Sequence, residues 1–540
     1  MQSILSENKT PQNNGNKDPL DNITFKVIGD FGKWQLKTAV LMALLKLPMA
    51  WYQLNILFLA PPQNFWCAKP ESFSQYTDDE WREMCIPKVE EHPCLIFDPD
   101  ILAIAPYMDR ALIPLILCQK FVYDKSTFRR TIISDWNLVC SRHWLIHFTQ
   151  AVMMWGVVCG GIFFPMWADR YGRKSPLMAA IIIESIAGFL TSIVQQYWVF
   201  MISWFILAIT VGGLSVVSFV MSMEVVSGKW RTIIPVLYQA PFGIGNTVLA
   251  GLAYFLRDWR HLEFSLSVIS SLFILYYYYI DESPRWLLAM GQTERAYEIM
   301  KKAAKMNGRE NILKNMKHSI LNQNVKKQIT PGFIVFVRSK FMRKNTVLLS
   351  LNWFCTGLSF FTFSQYLGYV GSNIYLAITL TGLISVPGCL LCLIIITRFG
   401  RKVTVWVFQI ISSCCFLVIL LIPKDMFAND WPRLVAAGIG FAGLSGAVPA
   451  LFLYSGELFP TLGRNAGVGG VTTFARIASM IAPGIVSLDE LFADLPLIIL
   501  AIVSFCQLAL LLPLPETKGL PLPDTLEDAE RFSSMSLYYL

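Results

Sequence analysis

A charged turn between two apolar runs constrains the fold of this chain more than any other feature. The apolar run GGIFFPMWA (160–168) leads directly into DRYGRK (169–174). Charged side chains are costly in hydrocarbon, and Gly172 allows the backbone to reverse within a short turn. The turn therefore predicts the end of one membrane span and the start of the next. Its candidate residues are Asp169, Arg170, Gly172, Arg173 and Lys174.

Composition places the whole chain among membrane proteins. Of its 540 residues, 54% are hydrophobic and 15% are charged, whereas soluble domains carry about 25% charged residues. Apolar runs such as Leu497–Leu512 are continuous rather than alternating, which favours helices over a β-barrel. The polar start, MQSILSENKTPQNNGNKDPL, predicts no cleavable signal peptide.

The apolar runs predict twelve spanning helices in two sets of six, an all-α membrane protein. The first half (35–281) contains an extramembrane loop (61–143), and the second half covers 347–512. A polar arm (1–34), a charged linker (282–346) and a tail (513–540) complete the chain. The predicted spans are 35–60, 144–168, 175–195, 197–223, 233–255, 262–281, 347–369, 373–396, 402–423, 431–453, 466–489 and 491–512.

Charge on the two long connections predicts the orientation, since cytoplasmic segments carry the excess of Lys and Arg. Nine Lys or Arg face twelve Asp or Glu in 61–143, against fourteen and four in 282–346. The loop is therefore expected outside, and the linker and both termini in the cytoplasm. This distribution accounts for the net charge of +8 without a nucleic-acid partner.

Five cysteines in the outer loop favour disulfides in an oxidising compartment. The odd number leaves one thiol over, and the spacing does not fix the pairing. Zinc is disfavoured because the loop has no close Cys pairs or paired His, so no metal site is predicted. The candidate disulfide residues are Cys67, Cys85, Cys94, Cys118 and Cys140.

The charged turn recurs in the second half as TRFGRK (397–402), with Thr397 where the first copy has Asp169. The chain thus resembles the major facilitator superfamily, whose G-x-x-x-D-R-x-G-R-K loop between helices 2 and 3 recurs between helices 8 and 9. Pro165 stands where that motif opens with glycine. Either copy alone could be an ordinary basic loop, but two at equivalent places favour a shared function. The second copy contributes Arg398, Gly400 and Arg401.

Acidic and basic residues also repeat at the ends of other predicted spans. Glu224 precedes Arg231 by seven residues, as Glu457 precedes Arg464, which places each pair on one side if the helix continues. We expect a charge relay with the two turns that gates the cytoplasmic side; a static surface pair is the alternative. Further members of the expected relay are Glu282, Arg285 and Glu516.

Several longer stretches narrow the resemblance to the organic cation, organic anion and carnitine transporter family. They are CQKFVYDKSTFRRTIISDWNLVC (118–140), DRYGRK, GKWRT, AYFLRDWRHLEF (253–264), DESPRW and YSGELFPTLGRNAGVG. The resemblance implies a polyspecific solute carrier of the plasma membrane that works by alternating access. Departures are Pro165, Thr397, Asp281 for a proline, and the lack of a glycosylation sequon outside.

Ionisable residues deep in the spans are the first candidates for a substrate site. Arg476 lies well inside the eleventh span, and the matching family position is acidic in cation carriers but arginine in anion and carnitine carriers. A guanidinium binds a carboxylate through two parallel hydrogen bonds. An internal ion pair with Glu184 or Glu457 is the alternative.

Lys46, in the first span, is the second buried cation; either it faces a cavity or it snorkels to an interface. The eighth span has Ser385 and Cys389 where cation carriers have glutamate and several anion carriers have lysine. A zwitterionic substrate therefore stays open. The resemblance implies that further residues surround the cavity: Tyr238, Gln239, Trp353, Phe360 and Phe361.

The sequence thus predicts a transporter of small organic ions, preferring anions or carboxylate-bearing zwitterions like carnitine. The alternatives are an organic cation transporter and a non-transporting receptor or scaffold on the same fold. Enzymatic motifs such as HExxH, GxSxG and GxxxxGK(S/T) do not occur, so neither catalysis nor a cofactor is expected. The expected partners are the substrate, the lipid bilayer and an undetermined coupling or exchange ion.

Overall fold

The protein is a bundle of long helices with a small folded segment at one end. The structure, a computed structural model, describes residues 24, 26–70, 73–85, 94–104, 113–313, 333–338, 340–370, 374–423, 430–459, 464–490, 492 and 494–518. Sequence expectations for the rest of the arm, the middle of the linker and the end of the tail fall outside these residues.

The first predicted span forms three consecutive helices, α1 to α3, with short interruptions at Leu45 and Asn55. Pro48 contributes to the first interruption because it has no N–H to donate to the carbonyl of Leu44. The bounds are α1 Lys33–Leu44, α2 Lys46–Leu54 and α3 Ile56–Leu59.

The loop segment contains two antiparallel strand pairs and three short helices. Strand β1 (Phe65–Cys67) pairs with β4 (Phe121–Tyr123), and β2 (Leu95–Phe97) pairs with β3 (Leu115–Leu117). Disulfides join Cys67 to Cys118 and Cys94 to Cys140. The side chain of Cys85 lies outside the described part of the chain. The helices are α4 Asp78–Cys85, α5 Pro99–Ile104 and α6 Ile132–Trp136.

The rest of the first half is a set of long helices, one of which passes through a proline. Helix α7 continues across Pro165, so the residue that departs from the motif does not end it. The fifth predicted span is divided at Tyr238 and Gln239, where Pro241 leaves the carbonyl of Leu237 without its helical donor. The bounds are α7 Trp144–Tyr171, α8 Lys174–Ile193, α9 Tyr197–Glu224, α10 Trp230–Leu237, α11 Ala240–Leu256, α12 Trp259–Ser271 and α13 Tyr276–Tyr279.

Three linker helices separate this set from the second half. The end of the N-terminal arm packs against the linker, where Asn307 accepts a hydrogen bond from the Trp34 amide at 3.0 Å and donates one to the Ile28 carbonyl at 3.0 Å. The polar arm therefore ends in a buried contact. The linker helices are α14 Pro284–Ala289, α15 Thr293–Met306 and α16 Phe333–Arg338; the second half comprises α17 Lys340–Val370, α18 Ile374–Arg398, α19 Arg401–Leu421, α20 Trp431–Leu458, α21 Arg464–Val486 and α22 Leu495–Leu511.

Ten helical stretches among the described residues are long and apolar enough to cross a membrane. The segmented first span and the shorter α22 are not among these ten, so twelve crossings stay a prediction. The two halves meet where α7 packs on α21 and α11 on α18. We call the end with the 61–143 segment the loop end, and the end with the two charged turns the motif end.

Candidate functional site

A cavity of about 140 Å³ lies between the two halves. Four helices of the first half and four of the second contribute to its wall. The lining residues are Lys46, Met49, Gln53, Met154, Ser215, Gln239, Phe242, Gly243, Trp353, Thr356, Gly357, Phe360, Phe361, Ser385, Cys389, Ser445, Val448, Pro449, Phe452, Thr472, Ala475, Arg476 and Ser479.

Helical periodicity explains how three of the helices reach this cavity. On α2 the lining residues are Lys46, Met49 and Gln53, spaced by three and four, which places them on one face. The same spacing recurs on α17 in Trp353, Thr356, Gly357, Phe360 and Phe361, and on α21 in Thr472, Ala475, Arg476 and Ser479. Gln53 was missed by the sequence analysis, although a glutamine seven residues after Lys46 in an apolar run is a usable signal.

Arg476 lies on the cavity wall rather than in an ion pair. Its Nη2 donates to Ser215 Oγ at 2.6 Å. Glu457 is bound to Arg401, and Glu184 lies on α8 with an unpaired carboxylate oxygen. The alternative that Arg476 neutralises either acid therefore finds no contact among the described residues.

Lys46 also borders the cavity, and it is 7% exposed. Its ammonium lies 4.7 Å from the centre of the Tyr238 ring, a cation–π arrangement. Tyr238 itself lies behind Lys46 and does not line the cavity; its hydroxyl is hydrogen-bonded to Ser218. Lys46 and Arg476 line the same cavity, so their like charges repel each other.

Aromatic rings form much of the remaining wall. Trp353 packs edge-on against Phe452 at 4.6 Å between centroids, and its Nε1 donates to Ser455 Oγ at 2.9 Å. Phe360 contacts Phe361 at 5.5 Å. Two lining residues hold buried polar atoms without a protein partner, Gln239 Nε2 and Ser445 Oγ. These atoms are available to a ligand.

The two halves touch on both sides of the cavity. At the loop end, Tyr375 of α18 stacks on Phe58 of α3 at 5.6 Å. Toward the motif end, Phe219 of α9 contacts Phe452 of α20 at 5.3 Å. Aromatic contacts therefore join the two halves toward both ends of the molecule.

The first charged turn is organised by two acids from elsewhere in the chain. Glu282 accepts hydrogen bonds from the amides of Arg173 at 2.7 Å and Lys174 at 3.1 Å, at the start of α8. Arg173 pairs through Nη2 with Glu224 at 2.9 Å and through Nη1 with Asp169. Burial alone would lower the pKa of the Arg173 guanidinium, but Glu224 and Asp169 outweigh it and raise the pKa.

The second turn repeats this geometry with one change. Glu516 accepts from the amides of Arg401 at 2.9 Å and Lys402 at 3.1 Å, and Arg401 pairs with Glu457 at 2.8 Å. Thr397, in place of an aspartate, donates to the Leu393 carbonyl at 2.9 Å. Arg401 Nη2 also reaches Thr232 Oγ1 of the first half at 3.3 Å.

A glycine is required at both turns for two reasons. Gly172 and Gly400 have φ of 103° and 115°, which other residues rarely adopt. A Cβ at either position would also overlap the carboxylate of Glu282 or Glu516.

Glu224 and Glu457 pair with the arginines of the two turns, Arg173 and Arg401. Helix α9 ends at Glu224 and α10 begins at Trp230, so Glu224 and Arg231 do not share one helix as the spacing suggested. The side chain of Arg464 lies outside the described part of the chain. Arg285 is in α14, whereas Arg170 and Arg398 are exposed side chains of the two turns.

Comparisons with known proteins agree with this architecture. The sequence model of the sugar (and other) transporter family matches residues 118–528. The organic cation transporter protein of Drosophila melanogaster is 30% identical, over 94% of this chain and 93% of its own length. Solute carrier family 22 member 3 of Rattus norvegicus is also 30% identical, over 94% and 95%.

Solved structures with the same fold include the proton:xylose symporter XylE. XylE bound to 6-bromo-6-deoxy-D-glucose has a TM-score of 0.60 and 15% identity, covering 93% of this chain and 99% of XylE. A partially occluded inward-open conformation of XylE from E. coli gives 0.61 at 17% identity, over 91% and 100%. This likeness shows the all-helical major facilitator fold. The chain therefore belongs to the sugar (and other) transporter family of the major facilitator superfamily and, within it, to the organic ion transporters of solute carrier family 22, which are not enzymes.

Proposed function

We propose that this transporter carries organic anions or carboxylate-bearing zwitterions, with Arg476 as the anchor of the carboxylate. The observation that carries the proposal is the charge of the cavity wall. Lys46 and Arg476 both line it, and none of its described lining residues is Asp or Glu. Two buried cations without a counter-charge raise the local potential and favour an anionic group.

A carnitine-like zwitterion suits this wall better than a simple anion. Arg476 and Lys46 would bind its carboxylate, while the aromatic rings of Trp353, Phe360 and Phe361 would receive a quaternary ammonium through cation–π contacts. Gln239 Nε2 offers a further donor to the carboxylate.

The second candidate is an organic cation transporter, favoured by the names of the relatives. The same aromatic wall would bind a simple cation. The two cationic side chains oppose this, because a ligand without an anionic group would leave their charge uncompensated.

We further propose twelve spanning helices and transport by alternating access across the plasma membrane. The loop end would face outward and the motif end, with both termini, the cytoplasm. The charge difference between 61–143 and 282–346 and the two disulfides in the loop segment support this orientation. The duplicated turn geometry supports rocking of two equivalent halves.

Uptake by purified protein in proteoliposomes tests the substrate class. Labelled hippurate, L-carnitine and tetraethylammonium represent an anion, a zwitterion and a cation. We expect hippurate or carnitine to be preferred, and Arg476→Ala to lower their uptake at least tenfold, about 1.4 kcal/mol for one lost charge-assisted contact. Arg476→Lys should retain part of the activity because the charge stays while the planar fork is lost.

Arg476→Asp should reject the anion and favour tetraethylammonium. Lys301→Ala, on an exposed face of linker helix α15, removes one positive charge far from the cavity and is the matched control. Unchanged affinity and rate for the carboxylates in a well-inserted Arg476→Ala protein would exclude the anchoring role.

A further inference from the structure

Two glutamates are buried in the first half, away from the cavity and from the charged turns. Glu184 lies in the middle of α8 and Glu263 near the start of α12, and these helices pack together. Their exposed fractions are 1% and 0%. Neither side chain takes part in the carboxylate anchor or the charge relay.

The polar atoms around the two carboxylates are incompletely paired. Glu263 Oε2 accepts from Asn55 Nδ2 at 2.9 Å. Four buried oxygens on the two glutamates, on Asn55 and on helix α12 have no hydrogen-bond partner: Glu184 Oε1, Glu263 Oε1, Asn55 Oδ1 and Ser270 Oγ. The hydroxyl of Tyr52, 3.4 Å from Ser267 Oγ, lies within electrostatic range of both carboxylates.

No described Lys, Arg or His contacts either carboxylate. On α12 the neighbouring Arg260 is directed to Asp135 at 3.1 Å. On α2, Lys46 faces Tyr238 and the cavity instead, so the titratable group that α2 directs at the two acids is Tyr52.

Tyr276 of α13 is a buried phenol, not a cation. The remaining charged or titratable groups of the packed helices lie near the helix ends: Lys174 over the Tyr277 ring, Glu224 and Asp169 paired with Arg173, His147 beside His143, and the exposed Arg170 and His261.

Two ionised carboxylates in such a site would cost several kcal/mol each in lost hydration. A carboxylic acid avoids this cost and provides an O–H donor, and the unpaired oxygen of Asn55, which is already bonded to Glu263, can accept it. The site therefore has the chemistry of a proton acceptor that is neutral when loaded.

We propose that Glu184 and Glu263 form a proton-binding site that couples substrate transport to a proton gradient. The coupling part rests on the proposed transport function. Proton loading makes the O–H bond on a carboxylate oxygen, and release returns the proton to water when the site is exposed by the transport cycle. No other co-substrate is needed.

Helix α2 connects this site with the substrate cavity. Met49 and Gln53 face the cavity, whereas Tyr52 faces the acids. Asn55 ends α2, and its carbonyl accepts the Phe58 amide at 2.8 Å in α3. Since Phe58 stacks on Tyr375 of the second half, the proton state of Glu263 can act through Asn55 on the contact that joins the two halves at the loop end.

The test combines a direct proton readout with transport. Purified full-length protein in lipid is titrated while the carboxylic-acid C=O stretch is followed by infrared difference spectroscopy. We expect a protonated-acid band in wild type that is reduced in Glu184→Gln and in Glu263→Gln and lost in the double variant. Glutamine matches the volume of the neutral acid, so these proteins should remain at least as heat-stable as wild type. Glu298→Gln, exposed on α15, is the matched control.

In proteoliposomes with the membrane potential clamped, one proton per substrate predicts up to about tenfold accumulation for one pH unit. The probe is the best substrate among hippurate, L-carnitine and tetraethylammonium. Either single glutamine variant should reduce accumulation to the level of equilibration while still exchanging the probe.

Three results would overturn the proposal. In the first, wild type shows no carboxylic-acid band that the glutamine variants remove. In the second, a sodium gradient drives wild-type uptake but a proton gradient does not. In the third, the double variant accumulates the probe in a proton gradient as well as wild type does. Failure of wild type to move any probe would instead overturn the proposed substrate class, and the infrared titration would still decide the proton site.

Discussion

The hydrogen bond from Arg401 to Thr232 leads to a prediction about the proposed alternating-access cycle. It concerns the equilibrium between protein that is closed and protein that is open at the motif end. Arg401 belongs to the second half and Thr232 to the first, so this bond must break when the halves separate at the motif end. The pairing of Arg401 with Glu457 lies within the second half and can persist. Thr232→Val and Arg401→Ala should therefore shift the state equilibrium by the same amount.

The magnitude follows from the geometry. The bond is long, at 3.3 Å, so we assign it about 1 kcal/mol, below the usual range for a hydrogen bond to a charged group. Its loss raises the ratio of motif-open to motif-closed protein about fivefold. Arg401→Ala also leaves Glu457, at 14% side-chain exposure, with the Thr517 hydroxyl but without its cation, which should cost about 3 kcal/mol of stability in both states.

Labelling of Cys389 reports the opening. This buried thiol lines the cavity and donates to the Val236 carbonyl at 3.0 Å. A membrane-impermeant methanethiosulfonate, applied from the motif-end side and quantified by peptide mass spectrometry, should modify it about fivefold faster in both variants. Thermal unfolding should separate them, because only Arg401→Ala loses the buried pair. Arg398→Ala, exposed in the same turn, is the control.

Two outcomes would refute this reasoning. Unchanged Cys389 labelling in Thr232→Val would show that the bond does not hold the motif end closed. A far larger increase in Arg401→Ala than in Thr232→Val would show that the pair with Glu457 also breaks during the cycle.

The remaining predictions concern the loop segment and the turns. Non-reducing peptide mapping should recover two disulfide-linked pairs, Cys67–Cys118 and Cys94–Cys140. A bridge from Cys85 to any of these four cysteines would contradict this pairing. Gly172→Ala and Gly400→Ala should each lose at least about 1 kcal/mol of stability, since alanine is strained at positive φ and its Cβ overlaps a carboxylate. Gly456→Ala is the control, because a Cβ there meets no atom within 4 Å, and it should leave the melting temperature unchanged or raise it. Equal losses of stability at all three positions would show that the positive φ and the carboxylate overlap are not the cause.

Much of the fold follows from local sequence. The long apolar runs in the sequence predicted where the long helices lie. A helix that is buried or in contact with lipid on all sides needs apolar side chains on every face. Interruptions of these helices were less predictable. Pro48 and Pro241 each remove one helical donor, yet Pro165 does not end α7, so proline alone does not decide where a spanning helix breaks.

Contacts between distant segments were beyond local reasoning. The pairing of Glu224 with Arg173 joins residues 51 positions apart, whereas spacing along the chain suggested Arg231. The caps that Glu282 and Glu516 form on the two turns likewise depend on how helices assemble. What the sequence did provide was the repetition itself, which indicated that these acids act with the turns.

Helix α2 lies between the proposed substrate cavity and the two buried acids. Its cavity face carries Lys46 and Gln53, and the adjoining face carries Tyr52. Lys46 and Tyr52 belong to the same nine-residue helix, so a rotation of this helix would move both side chains. If a bound carboxylate draws Lys46 toward Arg476, the same rotation moves Tyr52 relative to Glu184 and Glu263. Anion binding would relieve the repulsion between Lys46 and Arg476 at the cavity. It would at the same time change the surroundings of Glu184 and Glu263. Protonation of the acids and binding of an anionic substrate in the cavity would then each increase the affinity for the other. This mutual increase in affinity is the thermodynamic requirement for symport.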